Sequence, residues 1–205
     1  MNYADNAYPF RQDSSFLYFI GLDKPDFAAL IDVDTGETTL FGDDFTVEQI
    51  IWMGTQPTVE VLAQQAGISR TRPLSKLSET VADIRQQKRI VHFLPPYRAE
   101  NSQTLSELLN FAPHDLHSRA SADLVRAIID LRAAKTPEEI IEIEKALEIS
   151  AEMHILAMKL TRPGKYERDI VAALEAMAYA LGGRTAYPTI FTINGQTLHN
   201  HDHSH

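Results

Sequence analysis

The chain has 205 residues, 44% of them hydrophobic, so it can bury a core as one large domain or as one domain with part of another. Its 28 acidic and 19 basic residues give a formal net charge of -9 with no basic stripe, which argues against a nucleic-acid partner. The absence of cysteine excludes disulfides, thiolate zinc sites and cysteine nucleophiles. Because we find no signal peptide and no long apolar run, we expect a soluble, cytoplasmic protein with no membrane partner.

The first patterns in the chain are typical of strands. Residues 16–20 are apolar and end at Gly21, and residues 28–33 and 38–41 are short apolar or β-branched runs on either side of a turn at residues 34–36. Three strands this close together predict a sheet near the start of the fold.

Helical patterns then alternate with a strand pattern up to about residue 130. The helical segments are residues 59–66, 77–87 and 105–111, and the strand is residues 90–94, which end at Pro95-Pro96. Such alternation predicts an α/β fold in which helices cover a mixed or parallel sheet.

A long helix is predicted to begin at Thr136. Thr136 can cap it, Pro137 suits the first helical position, and Glu139 can return a hydrogen bond to the cap. One face of this helix is apolar until Pro163-Gly164 stops it. The apolar positions are Ala146, Ile149, Met153, Leu156 and Leu160. The acidic positions form a solvated face, which is not a carboxylate pair: Glu138, Glu139, Glu142, Glu144 and Glu148.

A second helix follows the same design. Glu167 and Asp169 favour its N-terminus, and Gly182-Gly183 end it. Its buried stripe is predicted to be Ile170, Leu174, Met177 and Leu181. Residues 188–193 then form a strand pattern that leads into Asn194-Gly195, a pair typical of hairpin turns.

Alternate histidines follow that turn: His199, His201, His203 and His205. On an extended strand these side chains share one face and could bind zinc, nickel or copper, with Asp202 on the opposite face. The alternative is that the last three belong to a polar loop beyond His199. The remaining histidines are isolated and are interpreted as structural or surface residues: His92, His114, His117 and His154.

Several ordered segments resemble the Xaa-Pro aminopeptidases, also called aminopeptidase P, which are relatives of prolidase and creatinase. Each match is short, but the set spans almost the whole chain. The matching segments are residues 11–21, 39–41, 51–54, 131–139, Arg162-Pro163-Gly164 and Leu198-His199.

The resemblance implies an α/β creatinase-like N-terminal domain at residues 1–130, which lacks the first strand and helix of the family. It implies that residues 131–205 are the first part of an α+β pita-bread peptidase domain. The implied activity is metal-dependent hydrolysis that removes the N-terminal residue from peptides with proline second. Two divalent metal ions, commonly manganese, serve the complete enzyme. Their ligands, two aspartates, a histidine and two glutamates, are expected after residue 205, so no metal ligand is assigned here and the chain is expected to be inactive by itself.

Two site residues follow from the resemblance. His199 matches the family histidine beside the metal centre, which hydrogen-bonds the substrate or the developing oxyanion. Trp52 matches a substrate-binding tryptophan that reaches into the active site of a neighbouring subunit, which implies a homo-oligomer. Proline-containing peptides are the expected partners.

Two further hypotheses come from other functional classes. The chain could be a non-catalytic dimerisation or peptide-binding module derived from this family, or its histidine tail could bind metal directly. Within the family, the N-terminal motifs and residues 196–201 favour an aminopeptidase over a prolidase, which takes dipeptides.

Overall fold

The computed structural model describes residues 8–205, which divide into two compact units. The first unit ends at Leu131 and the second is Arg132–His205. This division lies next to the domain boundary predicted after residue 130. The assignment of the second unit to a peptidase domain stays a prediction.

The described residues form a helix-rich α/β fold with one small sheet. The helices are α1 Ser14–Ile20, α2 Val47–Met53, α3 Val59–Gln65, α4 Leu77–Gln86, α5 Ala99–Leu109, α6 Leu116–Arg119, α7 Ala122–Ala133, α8 Pro137–Leu160 and α9 Glu167–Ala180. The strands are β1 Ala28–Ile31, β2 Thr38–Phe41 and β3 Arg70–Arg72. Two short 3-10 turns, Leu74–Lys76 and Pro113–Asp115, precede α4 and α6.

The strand predicted at residues 16–20 is wrong, because this segment is the helix α1. Oδ1 of Asp13 accepts hydrogen bonds from the backbone N–H groups of Ser15 and Phe16, both at 2.9 Å. Gly21 ends the helix in the left-handed conformation, with φ 76°. Both ends of the helix are therefore capped locally, and these caps outweigh the strand preference of a short apolar run.

The sheet is mixed, in the order β1-β2-β3. β1 and β2 form an antiparallel hairpin, and β2 pairs in parallel with β3. In the hairpin turn, the N–H of Gly36 donates to the carbonyl oxygen of Asp32 at 2.7 Å. The predictions of β1, β2 and this turn are confirmed, whereas β3 is polar and was not predicted.

Apolar clusters cover both faces of the sheet. Successive strand side chains point to opposite faces, and accordingly Ala29 packs on one cluster while its neighbour Leu30 packs on the other. The first cluster draws on α1, β2 and α3: Ile20, Leu22, Leu40, Val59, Leu62, Ala63 and Ile68. The second draws on α4, α5, α6 and the segment of residues 90–94: Val81, Phe93, Leu109 and Leu116. The predicted α/β fold with helices over a mixed sheet is confirmed.

Residues 90–94, predicted as a strand, form no strand in the described structure. The segment keeps the alternation of a strand, since Phe93 is buried and its neighbour His92 is exposed. The carbonyl oxygen of Phe93 accepts a hydrogen bond from the backbone of Ser121 at 3.2 Å. The segment is therefore held by its apolar side chains and this loop contact, without a strand partner.

Tyr18, in the first helix of the described chain, contacts the last residue of the first unit. Its hydroxyl donates to the carbonyl oxygen of Leu131 at 3.2 Å across 113 positions of the sequence. Leu131 lies in the last turn of α7, where carbonyl oxygens lack partners within the helix. Tyr18 thus serves as a remote cap for the end of α7.

In the second unit, α8 begins at the predicted capping box. The hydroxyl of Thr136 accepts the N–H of Glu139 at 3.3 Å, and the carboxylate of Glu139 accepts the N–H of Thr136 at 2.8 Å. The acidic face of α8 is solvated as predicted, and one of its members, Glu142, pairs with Lys145 at 2.6 Å.

Helix α9 buries Ile170, Val171, Leu174 and Ala178. The predicted stripe is confirmed at Ile170 and Leu174, whereas Leu181 is exposed. No helix among residues 8–205 is both long enough and apolar enough to cross a lipid bilayer.

Candidate functional site

His199 lies in a loop that closes on itself. Asn194 and Gly195 both have positive φ, 59° and 66°, as the two central residues of a type I′ turn do. At the base, the N–H of Phe191 donates to the carbonyl oxygen of Asn200 at 3.3 Å. We call residues 192–199 the His199 loop. The predicted turn is confirmed, but the predicted strand at residues 188–193 is wrong, because this segment makes no ladder of hydrogen bonds in the described structure.

Asn200 fixes the base of this loop with its side chain. Nδ2 donates to the carbonyl oxygen of Phe191 at 2.8 Å and to Oε2 of Glu167 at 3.3 Å. Oδ1 accepts the N–H of Asp202 at 3.1 Å. The amide therefore connects the two sides of the loop base with the first residue of α9.

Glu167 is the one charged side chain that is buried in the described part of the chain, at 4% exposure. Its Oε1 accepts the backbone N–H of Ile193 at 2.5 Å, while Oε2 accepts from Asn200. In the sequence Glu167 stands out only as an acid that favours the start of a helix, and nothing there predicts its burial. The spacing of 26 residues between Glu167 and Ile193 leaves no local sequence signal for this contact.

The residues after the loop pack against the N-terminus of α9. The N–H of Glu167 donates to the carbonyl oxygen of His205 at 2.6 Å, and the N–H of Arg168 donates to that of His203 at 3.1 Å. The first N–H groups of a helix have no partner within it. The histidine segment supplies two of those partners through its backbone.

The imidazoles of His199, His201 and His203 make separate contacts and do not converge on one point. Nδ1 of His201 and Nε2 of His203 lie 3.2 and 3.0 Å from the carbonyl oxygen of Thr189. A carbonyl oxygen only accepts, so each of these nitrogens carries the proton. The rings of His199 and His201 are in edge contact, with centroids 4.8 Å apart.

The one-faced strand that a metal site of alternate histidines would require is not formed, since residues 201–205 have no strand structure and follow the polar-loop alternative. No group of three or more His, Cys, Asp or Glu side chains that could hold a metal ion occurs among residues 8–205. The tail therefore does not present a ready metal site.

Trp52 lies in the first unit, near the end of α2, and is 81% exposed. Val47, Ile51 and Met53 on the same short helix are also exposed. Trp52 is thus a surface residue among apolar neighbours, and its role in binding a substrate stays a prediction. His199 lies in the second unit.

A cleft of about 580 Å³ lies between the sheet and α4 in the first unit. Three arginines line it, but Arg70 pairs with Glu37 at 2.6 Å and Arg89 pairs with Asp32 at 2.7 Å. The third, Arg72, donates to the hydroxyl of Thr80 at 3.1 Å. Since carboxylates neutralise two of the three guanidinium groups, the cleft offers no strong anion site.

The first unit matches a known domain, and most of the chain matches known enzymes. Residues 1–92 match the family model of the aminopeptidase P N-terminal domain. The Xaa-Pro aminopeptidase of Escherichia coli is 29% identical in an alignment of 217 positions, which covers 96% of this chain and 47% of that protein. The chain carries an aminopeptidase P N-terminal domain and is similar to Xaa-Pro aminopeptidases over almost its whole length. The resemblance seen in the sequence is confirmed.

Solved structures of the aminopeptidase P family share the fold. The proline aminopeptidase P II of Yersinia pestis superposes with a TM-score of 0.83 at 26% identity and covers all of this chain and 49% of that one. A zinc-substituted E. coli aminopeptidase P in complex with product gives 0.73 at 25% identity, over 93% of this chain and 45% of that one. The chain thus spans about half the length of the relatives it matches.

Proposed function

We propose that the chain is part of a Xaa-Pro aminopeptidase, which removes the N-terminal residue from peptides with proline in second position. The observation that carries this proposal is the extent of the similarity. It covers 96% of the chain in the E. coli relative and so includes both units. A module that had kept only the N-terminal domain of the family would match in the first unit alone.

The two units then correspond to the two domains of the family. The first is the creatinase-like N-terminal domain, and the second is the start of the pita-bread peptidase domain. Cytoplasmic location and assembly into a homo-oligomer belong to this proposal as well.

His199 is proposed as the active-site residue of this chain. Its imidazole is exposed on a loop whose base is fixed, so it can meet a bound peptide without a large rearrangement. A neutral imidazole donates one hydrogen bond, which suits a substrate carbonyl or the oxyanion that develops from it.

Trp52 is proposed to contact substrate in the active site of a neighbouring subunit. Its high exposure supports this role, because an indole that is free of its own core is available to another chain. Aromatic residues of this kind are frequent at interfaces.

Two divalent metal ions, manganese in the proposal, supply the hydrolytic water in the family reaction. The residues described here do not fit such a centre, since no cluster of three or more candidate ligands is present among residues 8–205. We therefore assign no metal ligand and propose that the 205-residue chain does not hydrolyse peptides by itself.

The alternative proposal is a non-catalytic dimerisation or peptide-binding module. The exposed apolar surface of α2 around Trp52 favours it, because such patches mark interaction sites.

The test begins with the coding DNA beyond the His205 codon. Where the reading frame continues, the longer protein is purified with manganese and assayed on matched peptides that begin Ala-Pro or Ala-Ala. We expect cleavage of the Ala-Pro peptide alone, and loss of most of that activity in His199→Gln. Equal cleavage of both peptides, or none, contradicts the proposal. Turnover by the 205-residue chain contradicts its proposed inactivity, and a stop codon directly after His205 favours the binding module.

A further inference from the structure

Glu167 joins the two ends of the His199 loop to one point on α9. Its Oε1 accepts from Ile193, near the start of the loop, and its Oε2 accepts from Asn200, the residue directly after His199. Ile193 and Asn200 are seven positions apart in the sequence, yet both donate to the same carboxylate. A side chain needs two acceptor oxygens to hold both sides of the loop in this way. Without the two Glu167 bonds, the two sides of the loop base are joined by the Asn200 contacts with Phe191 and by the imidazoles of His201 and His203 on the carbonyl oxygen of Thr189.

The carboxylate is held by hydrogen-bond donors. No Lys or Arg side chain in the described part of the chain forms an ion pair with it. Burial of a lone charge is costly, and the compensation here comes from the Ile193 N–H, the Asn200 amide and the N-terminus of α9. Hydrogen bonds to a charged acceptor are also stronger than those between neutral groups.

We propose that Glu167 is a positioning residue that sets the conformation of the His199 loop and thereby aims His199 at a bound peptide. The claim that Glu167 sets the loop conformation concerns the loop alone and is tested without any catalytic reaction. The claim that this conformation aims His199 at a peptide rests on the proposed function.

The experiment uses the isotope-labelled 205-residue chain and three variants. Glu167→Gln keeps the volume and one acceptor oxygen, and Glu167→Leu removes both acceptors. Glu175→Gln is the matched control, because Glu175 lies on the same helix and accepts the Thr189 hydroxyl at 2.8 Å, outside the loop. Amide hydrogen exchange is read at Ile193 and, as a reference for α9, at the buried Leu174.

We expect Ile193 exchange to rise by about tenfold or more in Glu167→Leu and by less in Glu167→Gln, because the loop base opens locally while α9 stays folded. Leu174 exchange is expected to stay unchanged in Glu167→Gln. Nuclear Overhauser contacts between the rings of His199 and His201, which are 4.8 Å apart at their centroids, should weaken in the same order. Glu175→Gln should leave both readouts as in the unchanged chain.

The inference is overturned if Ile193 exchange in Glu167→Gln and Glu167→Leu equals that of the control, or if Ile193 and Leu174 lose protection together in Glu167→Gln. The second result would mean that Glu167 stabilises α9 as a whole. If Glu167→Leu fails to fold, the comparison of Glu167→Gln with Glu175→Gln decides. Failure of Ala-Pro cleavage in the longer protein would overturn the proposed function and leave the loop result standing.

Discussion

Both terminal nitrogens of Arg89 donate to the two carboxylate oxygens of Asp32, each at 2.7 Å, across 57 positions of the sequence. Asp34 accepts a further bond from Arg89 at 2.7 Å. Asp32 directly follows β1, whereas Arg89 directly precedes residues 90–94. This planar pair therefore ties the end of the hairpin to a segment that no strand pairing holds.

The Asp32 pair should make stability depend on pH. Hydrogen bonding from Arg89 is the main reason that the pKa of Asp32 lies well below its usual 3.8, and burial opposes the shift. A lowered folded-state pKa contributes stability that is complete above the usual value and is lost as pH falls towards the folded value. We expect Asp32→Asn to lower stability at neutral pH and to flatten its decline below about pH 4, where linkage acts. Urea midpoints across that range measure how stability depends on pH. If the stability of Asp32→Asn falls with pH as steeply as that of the unchanged chain, the prediction is contradicted. Arg89→Lys loses the planar fork and should give a pH dependence between those two.

Loss of the capping box at α8 should destabilise the second unit. Thr136→Ala leaves the N–H of Glu139 without its hydroxyl acceptor. We expect a loss of about 1 kcal/mol in the free energy of unfolding, read from urea denaturation. Thr136→Ser keeps the acceptor and should stay near the unchanged chain. Equal losses in both variants would show that the hydroxyl is not the cause.

Leu40→Ala should be among the most damaging changes in the sheet. Leu40 is fully buried within the first core cluster. Its truncation leaves a cavity and is expected to cost about 2–5 kcal/mol. Leu198→Ala is the matched control, because Leu198 is 91% exposed and its truncation should change stability by no more than about 0.5 kcal/mol. Similar denaturation midpoints for the two variants would contradict the position of the core.

Gly42→Ala should destabilise by overpacking. A Cβ at position 42 would lie 2.4 Å from Cε1 and 2.6 Å from Cδ1 of Phe27, and an aromatic ring cannot yield by bending. We expect a loss of about 1–3 kcal/mol. Since the clash is with the ring, Gly42→Ala should cost less in a Phe27→Val background than alone. A double-mutant cycle with additive losses would place the cause elsewhere.

Trp52 can be followed directly, because it is the only tryptophan in the sequence. With 81% exposure, its fluorescence should match that of an indole in water and be quenched readily by iodide in dilute solution. If a second chain covers it, emission should shift to the blue and quenching should fall as protein concentration rises. Fluorescence independent of concentration, with sedimentation showing assembly, would argue against a role for Trp52 in the interface.

Much of the fold could be predicted where the determining interactions are local. The turn at residues 34–36 and the Thr136 capping box involve neighbours within a few positions, and both are found. The strand prediction for residues 16–20 is wrong because a five-residue apolar run fits a strand or a buried helix equally well. The decisive signals were Asp13 and Gly21 at its ends, which together mark a short capped helix.

The remaining errors concern long-range pairing. Residues 90–94 have the alternation of a strand, yet whether a strand forms depends on a partner elsewhere in the chain. The strand β3 could not be predicted, because Arg70-Thr71-Arg72 is polar and has no strand pattern of its own. It becomes a strand through its pairing with β2. At the candidate site, Asn194-Gly195 could be predicted as a turn, but the contacts of Glu167 with Ile193 and Asn200 could not.

The bond from Tyr18 to Leu131 determines where the first unit can be shortened at its C-terminal side. It holds α1, the first helix of the described chain, against the end of α7, and so closes a loop of 113 positions with one side-chain contact. A truncation after Ala133 would keep the carbonyl oxygen that accepts this bond, whereas a truncation before Leu131 would remove that oxygen and leave the loop open.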